Sequence, residues 1–145
     1  MLGDFCNHFR PLALTLLRLA LGIIFLWHGT AKVSDLAHWT QNFVHMGFPS
    51  YFAYIAGGLE TIGGALLILG LWGRLAGLLL AGELLIAVLK VHLPGGPLWN
   101  VGRYELQMLL SGASFVIFAY GSGPWSLDAA VFGRRGGGKA RRSAG

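Results

Sequence analysis

Four long apolar runs alternate with short polar segments along this chain. They cover residues 12–31, 51–70, 75–92 and 104–120. At a rise of about 1.5 Å per residue, a helix of roughly 17–20 residues crosses a hydrocarbon core of about 30 Å. None of the runs alternates between polar and apolar residues as strands of a membrane barrel do. The pattern therefore predicts an all-α bundle of four transmembrane helices.

The composition agrees with a membrane protein. Hydrophobic residues make up 54% of the chain and charged residues only 12%, whereas soluble domains carry about a quarter charged residues. The net charge of +5 does not indicate nucleic-acid binding, because five of the eleven Lys and Arg fall in the last twelve residues, RRGGGKARRSAG. Such a cationic tail is typical of the cytoplasmic face of a membrane.

The loop charges predict the orientation. The positive-inside rule favours both termini in the cytoplasm, and the first run, which contains Arg18 and no following small-x-small cleavage site, is expected to be a retained span. We therefore divide the chain into a cytoplasmic N-terminus (1–11), a membrane domain (12–133) and a disordered basic cytoplasmic tail (134–145). The cytoplasmic Lys and Arg would be Arg10, Arg74, Arg134, Arg135, Lys139, Arg141 and Arg142, against Lys32, Lys90 and Arg103 outside.

The segment between the first two runs, SDLAHWTQNFVHMGFPS, predicts a short amphipathic helix. Ser34 is a plausible N-cap, and Gly47 and Pro49 are stop signals. We expect this helix either to lie on the membrane surface or to form a lid on the bundle. Its apolar stripe comprises Leu36, Trp39, Phe43 and Met46, and its polar face His38, Gln41, Asn42 and His45.

Small residues recur at every fourth position in the second and third runs. This spacing lets helix backbones approach closely, so the two spans are expected to pack against each other. The residues are Gly57, Thr61 and Ala65 in one run and Gly73, Gly77 and Ala81 in the other.

Three ionisable residues fall at membrane depth: Arg18, Glu60 and Glu83. Ionisable groups in the hydrocarbon cost about 2.5–3.5 kcal/mol or more each, so they normally face the bundle interior and have partners. We expect Arg18 to form an ion pair with Glu60 that holds the bundle together. The second carboxyl group then either carries a proton or is neutralised by Lys90.

A second polar layer lies toward the other end of the spans and contains His28, Lys32, Lys90, His92, Arg103 and Glu105. His28 and Lys32 are one turn apart and share a helix face. The layer would suit the polar head group of a lipid ligand, with imidazole and carboxylate groups handling protons. By default, however, we expect Lys32, Lys90 and Arg103 to be interfacial anchors whose charged groups reach water.

The sequence predicts neither a metal site nor a covalently bound cofactor. Cys6 is the single cysteine, which excludes an intrachain disulfide and CxxC redox chemistry. Ligand spacing typical of zinc is also absent.

Five motifs in order resemble the DoxX family, over about residues 12–133. They are LLRLALGIIFLWHGTAK (16–32), AGGLETIGGALLILGLWGRLAGLLLA (56–81), VHLPGG (91–96), GRYELQMLL (102–110) and GPWSLDAAVF (123–132). The family's polar landmarks correspond to Arg18, His28, Gly29, Lys32, Glu60, Gly63, Gly64, Arg74, His92 and Glu105. Glu83 departs from the family pattern, in which an apolar residue is expected.

The resemblance implies a small four-helix protein of the bacterial inner membrane. Members are associated with quinone-linked redox systems, including the membrane partner of a thiosulfate:quinone oxidoreductase, and with complexes that handle oxidative stress. The resemblance therefore implies that this chain is a membrane subunit that binds a quinone and works with a redox partner protein. If the chain is catalytic, it would be a partner-dependent subunit of a quinone-linked oxidoreductase.

Two other functions stay open at this stage. A small proton-coupled transporter or channel would use Glu60 and Glu83, since intramembrane carboxylates often mark ion paths. A non-catalytic scaffold or assembly factor would recruit a partner through the basic tail. Homo-oligomers are compatible with all three functions.

Overall fold

The computed structural model describes residues 2–94, 96, 97 and 99–136, without the side chains of residues 2–4 and 134–136. The described chain is all-helical, which confirms the predicted fold class. The α-helices are α1 (Leu2–Ser34), α2 (Leu36–His45), α3 (Phe52–Leu69), α4 (Gly73–Ala87), α5 (Glu105–Tyr120) and α6 (Leu127–Gly136). A π-helical turn (Val88–His92) extends α4, and a 3₁₀ turn (Val101–Arg103) precedes α5.

The helices have the length and the surface of a membrane bundle. Among the described residues, three segments are long and apolar enough to span a bilayer: Phe5–Ser34, Phe52–Leu69 and Gly73–His92. The fourth apolar helix, α5, is shorter, with 16 residues. Large apolar side chains point outward, including Trp27 (75% exposed) and Leu109 (69% exposed). Exposure of so much apolar surface is expected for a protein whose solvent is lipid.

Helices α1, α3, α4 and α5, called the four long helices below, form an antiparallel ring. Helix α1 packs against α3, α3 against α4, α4 against α5, and α5 returns to α1. The connection between α3 and α4 is short, which forces these two helices to run in opposite directions. The core in the centre of the ring consists of Leu21, Phe25, Leu67, Ala76, Leu80, Leu84, Leu110 and Ile117.

Helices α1 and α6 both extend beyond residues 12–133, the predicted membrane domain. The predicted N-terminal segment is part of α1, which continues through Pro11. The hydroxyl of Thr15 donates to the carbonyl oxygen of Pro11 at 2.8 Å. Helix α6 extends to Gly136, so the first three residues of the predicted tail are helical; residues 137–145 lie outside the described residues.

Helices α3 and α4 pack against each other, as predicted, but the glycines of their small-residue faces also lie against other helices. An added Cβ at Gly57 would lie 3.2 Å from Cβ of Lys32 in α1, and one at Gly77 would contact the carbonyl oxygen of Ser114 in α5 at 2.7 Å. Helical spacing identifies a close-packing face but does not identify its partner.

A hydrogen-bonded cluster around Asp128 closes the end of the bundle opposite α2. The carboxylate accepts from the backbone N–H groups of Trp72 at 2.8 Å and Gly73 at 3.1 Å, where α4 begins. Ser122 donates to the same carboxylate at 2.6 Å. The N–H of Asp128 donates to the carbonyl oxygen of Gly70 at 2.9 Å. A negative charge at a helix N-terminus is favourable, so Asp128 ties α6 to the α3–α4 turn.

Candidate ligand cavity

A cavity of about 640 Å³ lies between the helices at the end of the bundle that α2 covers. Its walls come from all four long helices, from α2 and from the π-helical turn. Ligand sites in proteins typically measure about 300–1,000 Å³ and combine apolar walls with a few polar groups. The walls here are mostly apolar, and the polar residues that line them are His28, Lys32, Glu60, Glu83, His92 and Gln107.

Helix α2 forms the roof of this cavity. Trp39, Phe43 and Met46 of its apolar stripe line the cavity. Of the two positions predicted for this helix, on the membrane surface or as a lid on the bundle, the structure shows the lid. The N-cap is Asp35, whose carboxylate accepts from the N–H of His38 at 3.2 Å. The prediction of Ser34 as N-cap is wrong, because α1 continues through this residue and its hydroxyl donates to Thr30 in the preceding turn.

Lys32 and Glu60 form a buried ion pair in the cavity wall. The ammonium nitrogen of Lys32 lies 2.5 Å from Oε2 of Glu60 and 4.9 Å from the ring centre of Trp39. Lys32 is only 8% exposed, so the expectation that it is an interfacial anchor is wrong. The pair forms because the glycine at position 57 brings α3 close to α1, with an added Cβ only 3.2 Å from Cβ of Lys32.

Arg18 does not pair with Glu60, so the predicted Arg18–Glu60 ion pair is wrong. Arg18 is buried at the opposite end of the bundle, where Nη1 donates to the carbonyl oxygens of Leu67 at 2.8 Å and Ile68 at 3.1 Å. Nη2 donates to Trp125 at 2.8 Å. The guanidinium therefore satisfies carbonyl groups at the C-terminal end of α3, where a positive charge is favourable.

Glu83 lines the cavity from α4, and the Lys32–Glu60 pair lines the same cavity from α1 and α3. The Oε2 atom of Glu83 is buried and has no hydrogen-bond partner within the described part of the chain. Lys90, the predicted alternative partner, instead lies over the ring of Phe48 at 5.5 Å. An unpaired carboxyl group in an apolar cavity is costly unless it is protonated or meets a ligand.

Of the predicted second polar layer, the structure brings three residues to the cavity. His28, Lys32 and His92 line it, whereas Lys90, Arg103 and the exposed Glu105 do not. Nδ1 of His28 lies 2.8 Å from the carbonyl oxygen of Ile24, and Nδ1 of His92 lies 3.0 Å from that of Ala87. These bonds within α1 and at the end of α4 fix both rings.

Sequence reasoning missed Gln107, which lines the cavity in place of Glu105. Successive helical residues are about 100° apart, so Glu105 and Gln107 point in nearly opposite directions. The i, i+3 spacing of Gln107 and Leu110, both cavity residues, is the signal that identifies the inward face of α5. Phe25 and Phe52 also line the cavity. No comparable spacing identifies them, because the chain is rich in apolar residues throughout.

The family assignment comes from comparison with known proteins. The model of the DoxX family matches residues 13–93. This chain belongs to the DoxX family. The match includes the first three long helices, the roof helix and both members of the Lys32–Glu60 pair, so most of the cavity lies within the family's own segment.

Three relatives each match most of the chain. It is 37% identical over 117 residues to "Putative oxidoreductase CatD" of Bacillus subtilis, covering 81% of this chain and 85% of that protein. It is 34% identical over 131 residues to an uncharacterized protein of Haemophilus influenzae, covering 86% and 94%. It is 33% identical over 135 residues to an uncharacterized membrane protein of Mycobacterium tuberculosis, covering 81% and 80%. No solved structure matches the chain.

Proposed function

We propose that this DoxX protein is a membrane subunit of a redox system and binds a quinone-type lipid in the cavity under α2. The observation that carries the proposal is the amphiphilic cavity, in which mostly apolar walls carry the buried Lys32–Glu60 pair and the carboxyl group of Glu83. The name of the Bacillus subtilis relative, a putative oxidoreductase, points in the same direction.

The cavity residues fit such a ligand. Aromatic and aliphatic side chains would pack against the ring and tail. The Lys32 ammonium group would donate to an oxygen atom of the quinone head group, and His28 and His92, whose Nδ1 atoms donate to backbone carbonyls, would accept from the hydroxyl groups of its reduced form. Its volume of about 640 Å³ is within the usual range for small-molecule sites. In this proposal the protein binds and orients the quinone, and a partner redox protein exchanges electrons with it.

Tryptophan fluorescence tests the proposal directly. Of the five tryptophans, Trp39 lines the cavity, whereas Trp27, Trp72, Trp99 and Trp125 do not. Titrating the purified protein in nanodiscs with a short-chain quinone should give saturable quenching. Trp39→Phe keeps an aromatic ring over Lys32 and should remove the saturable component while the background from the other tryptophans stays. Quenching that never saturates, or that is identical in Trp39→Phe, would contradict quinone binding in this cavity.

A second candidate function is proton-coupled transport. It is favoured by one observation: Glu60 and Glu83, on different spans, line the same cavity. A carboxyl group that exchanges a proton for a substrate is a common device of transporters. Proteoliposomes should then show a proton flux that is lost in the double variant Glu60→Gln, Glu83→Gln. A flux that survives both substitutions rejects this candidate.

We also propose that the protein resides in a bacterial inner membrane with both termini in the cytoplasm. The loop charges support this orientation, and it places the cavity near the external face.

A further inference from the structure

The cavity under α2 reaches the surface of the bundle between α3 and α4. Ile55 of α3 and Ile86 of α4 both line the cavity, yet they are 54% and 50% exposed. Leu78 and Leu79 of α4 also combine exposure with a place in the cavity wall. Residues that are exposed and also line a cavity mark the place where it opens. We call this place the side opening and define it by the lining residues Ile55, Leu59, Leu79, Gly82 and Ile86.

The side opening lies on the α2 side of a tight contact between the same two helices. An added Cβ at Gly63 of α3 would lie 3.0 Å from a side-chain carbon of Leu80 in α4, so the helices touch there. At Gly82, two residues further along α4, nothing among the described residues lies within 4 Å of an added Cβ. The seam between α3 and α4 is therefore closed at Leu80 and open beside the cavity.

The end of the cavity nearest to α2 is covered by packed aromatic rings. The ring centres of Phe43 and Phe48 are 5.9 Å apart, and those of Phe48 and Phe52 are 5.4 Å apart. All three residues line the cavity and connect α2 to the start of α3. The side opening instead leads into lipid, because Phe52–Leu69 and Gly73–His92 are both long and apolar enough to span a bilayer.

The opposite wall of the cavity suits an apolar chain less well. There α1 contributes the exposed His28, and α5 contributes Gln107. An apolar chain between these two helices would separate imidazole and amide groups from hydrogen-bonding partners, which costs free energy. The exposed lining residues of α3 and α4 are all apolar, so a chain that passes between α3 and α4 contacts apolar side chains on both sides.

We propose that the ligand is a lipid with a long apolar tail, and that this tail leaves the cavity through the side opening into the bilayer. The inference rests on the proposed function and adds the class of the ligand and its route. The head group lies beside Lys32 and Glu83. A cavity of about 640 Å³ has the size of sites for drug-sized molecules. A tail of many carbons therefore extends beyond it, and the ligand enters sideways from the lipid.

Photo-crosslinking of the unmodified protein in nanodiscs tests the route. The probe is a quinone whose long alkyl tail carries a diazirine part-way along, and the competitor is an excess of the same quinone without the diazirine. Mass spectrometry should find competed label on α3 and α4, at residues of the side opening. Competed label on α2, or on the facing sides of α1 and α5, overturns the route and leaves the proposed function intact. Label that the competitor does not reduce anywhere overturns both.

A pair of glycine variants tests whether the side opening holds the tail. Gly82→Phe places a ring in the opening, so the ratio of the affinities for a long-tailed and a tailless quinone should fall about tenfold. Saturable quenching of Trp39 measures both affinities. Gly58→Phe is the control, because nothing lies within 4 Å of its added Cβ and it does not line the cavity; it should keep the ratio.

The outcomes separate the route from the proposed function. An equal ratio in the two variants overturns the route. Absence of saturable quenching by either quinone in the unmodified protein overturns the proposed function as well. The crosslinking experiment needs no substitution, so it decides the route even if Gly82→Phe does not fold.

Discussion

Lys32 and Glu60 are 28 positions apart in the chain, yet the ammonium nitrogen of one lies 2.5 Å from a carboxylate oxygen of the other. The pair joins α1 to α3 and lies in the cavity wall, with Trp39 of the roof helix against the ammonium group. The two charges neutralise each other, and either one would be isolated in apolar surroundings without its partner. The pair thus links the packing of the bundle to the polar end of the cavity.

Breaking this pair should destabilise the protein strongly. Lys32→Met leaves the Glu60 carboxylate buried without its partner, which costs about 3–5 kcal/mol of unfolding free energy. Adding Glu60→Leu should restore a large part of the loss, because the double variant buries no uncompensated charge. Denaturant unfolding in detergent measures the three free energies. Lys90→Met, at an exposed lysine, is the control and should change stability little; equal effects of the two lysine substitutions would contradict the buried-pair assignment.

The contact between α1 and α3 should be intolerant of a single methyl group at Gly29. An added Cβ there would overlap the backbone nitrogen of Thr61, so Gly29→Ala should cost about 1–3 kcal/mol. Gly58→Ala is the matched control, because nothing lies within 4 Å of its added Cβ and alanine is the better helix former by up to about 1 kcal/mol. Melting temperatures in detergent should fall for the first variant and stay or rise for the second.

Arg18 should not be replaceable by lysine. Its guanidinium donates to carbonyl oxygens of Leu67, Ile68 and Trp125 at the same time, and a single ammonium group cannot reproduce this fork. We expect Arg18→Lys to lower the unfolding free energy by about 1–3 kcal/mol. Arg10→Lys, at an exposed position of the same helix, should have no measurable effect. Comparable stability of the two variants would show that the charge alone matters.

Asp128 should make stability depend on pH in the acid range. Burial by itself raises the pKa of this carboxyl, but the hydrogen bonds from Ser122, Trp72 and Gly73, together with the charge of Arg18, outweigh it and lower the pKa. The contribution of ionised Asp128 to the stability of the fold is therefore complete above its unfolded-state pKa of about 3.9. This contribution is lost as the pH falls through the lower folded-state pKa.

The variant Asp128→Asn tests this dependence. Its melting temperature should be lower than that of the unmodified protein at neutral pH, and the two should converge below about pH 4. A difference that stays constant from pH 7 to pH 3 would mean that ionisation of Asp128 does not stabilise the fold.

The single cysteine reports the orientation. Cys6 is exposed near the start of α1, so with the N-terminus in the cytoplasm a membrane-impermeant maleimide should label it only after the membrane is opened. The variant Cys6→Ser, Ser50→Cys moves the thiol to the exposed turn before α3, at the other end of the bundle, and should label in intact cells. The reverse pattern would place both termini outside.

The candidate site could be predicted only in part from the sequence. Glu60 and Glu83 could be predicted as site residues because they are charged and lie within apolar runs. His28, Lys32 and His92 could be predicted because they are polar and lie near helix ends. The partner of each charge was less predictable. Arg18 and Glu60 are complementary in sign, but the guanidinium lies among carbonyl groups near Leu67 and the carboxylate beside Lys32. Pairing depends on the rotation of each helix about its axis, which charge counting does not give.

The sequence by itself determined the all-helical membrane class, the positions of the long helices, the amphipathic character of α2 and the family. These follow from apolar runs whose length matches a bilayer and from local periodicity, and both are properties of neighbouring residues. Only the tertiary structure decided that α2 roofs a cavity, that Lys32 is buried against Glu60, and that Gln107 rather than Glu105 faces inward. Those relationships depend on which helix faces meet, and close approach at glycines such as Gly29 sets them across long separations in the chain.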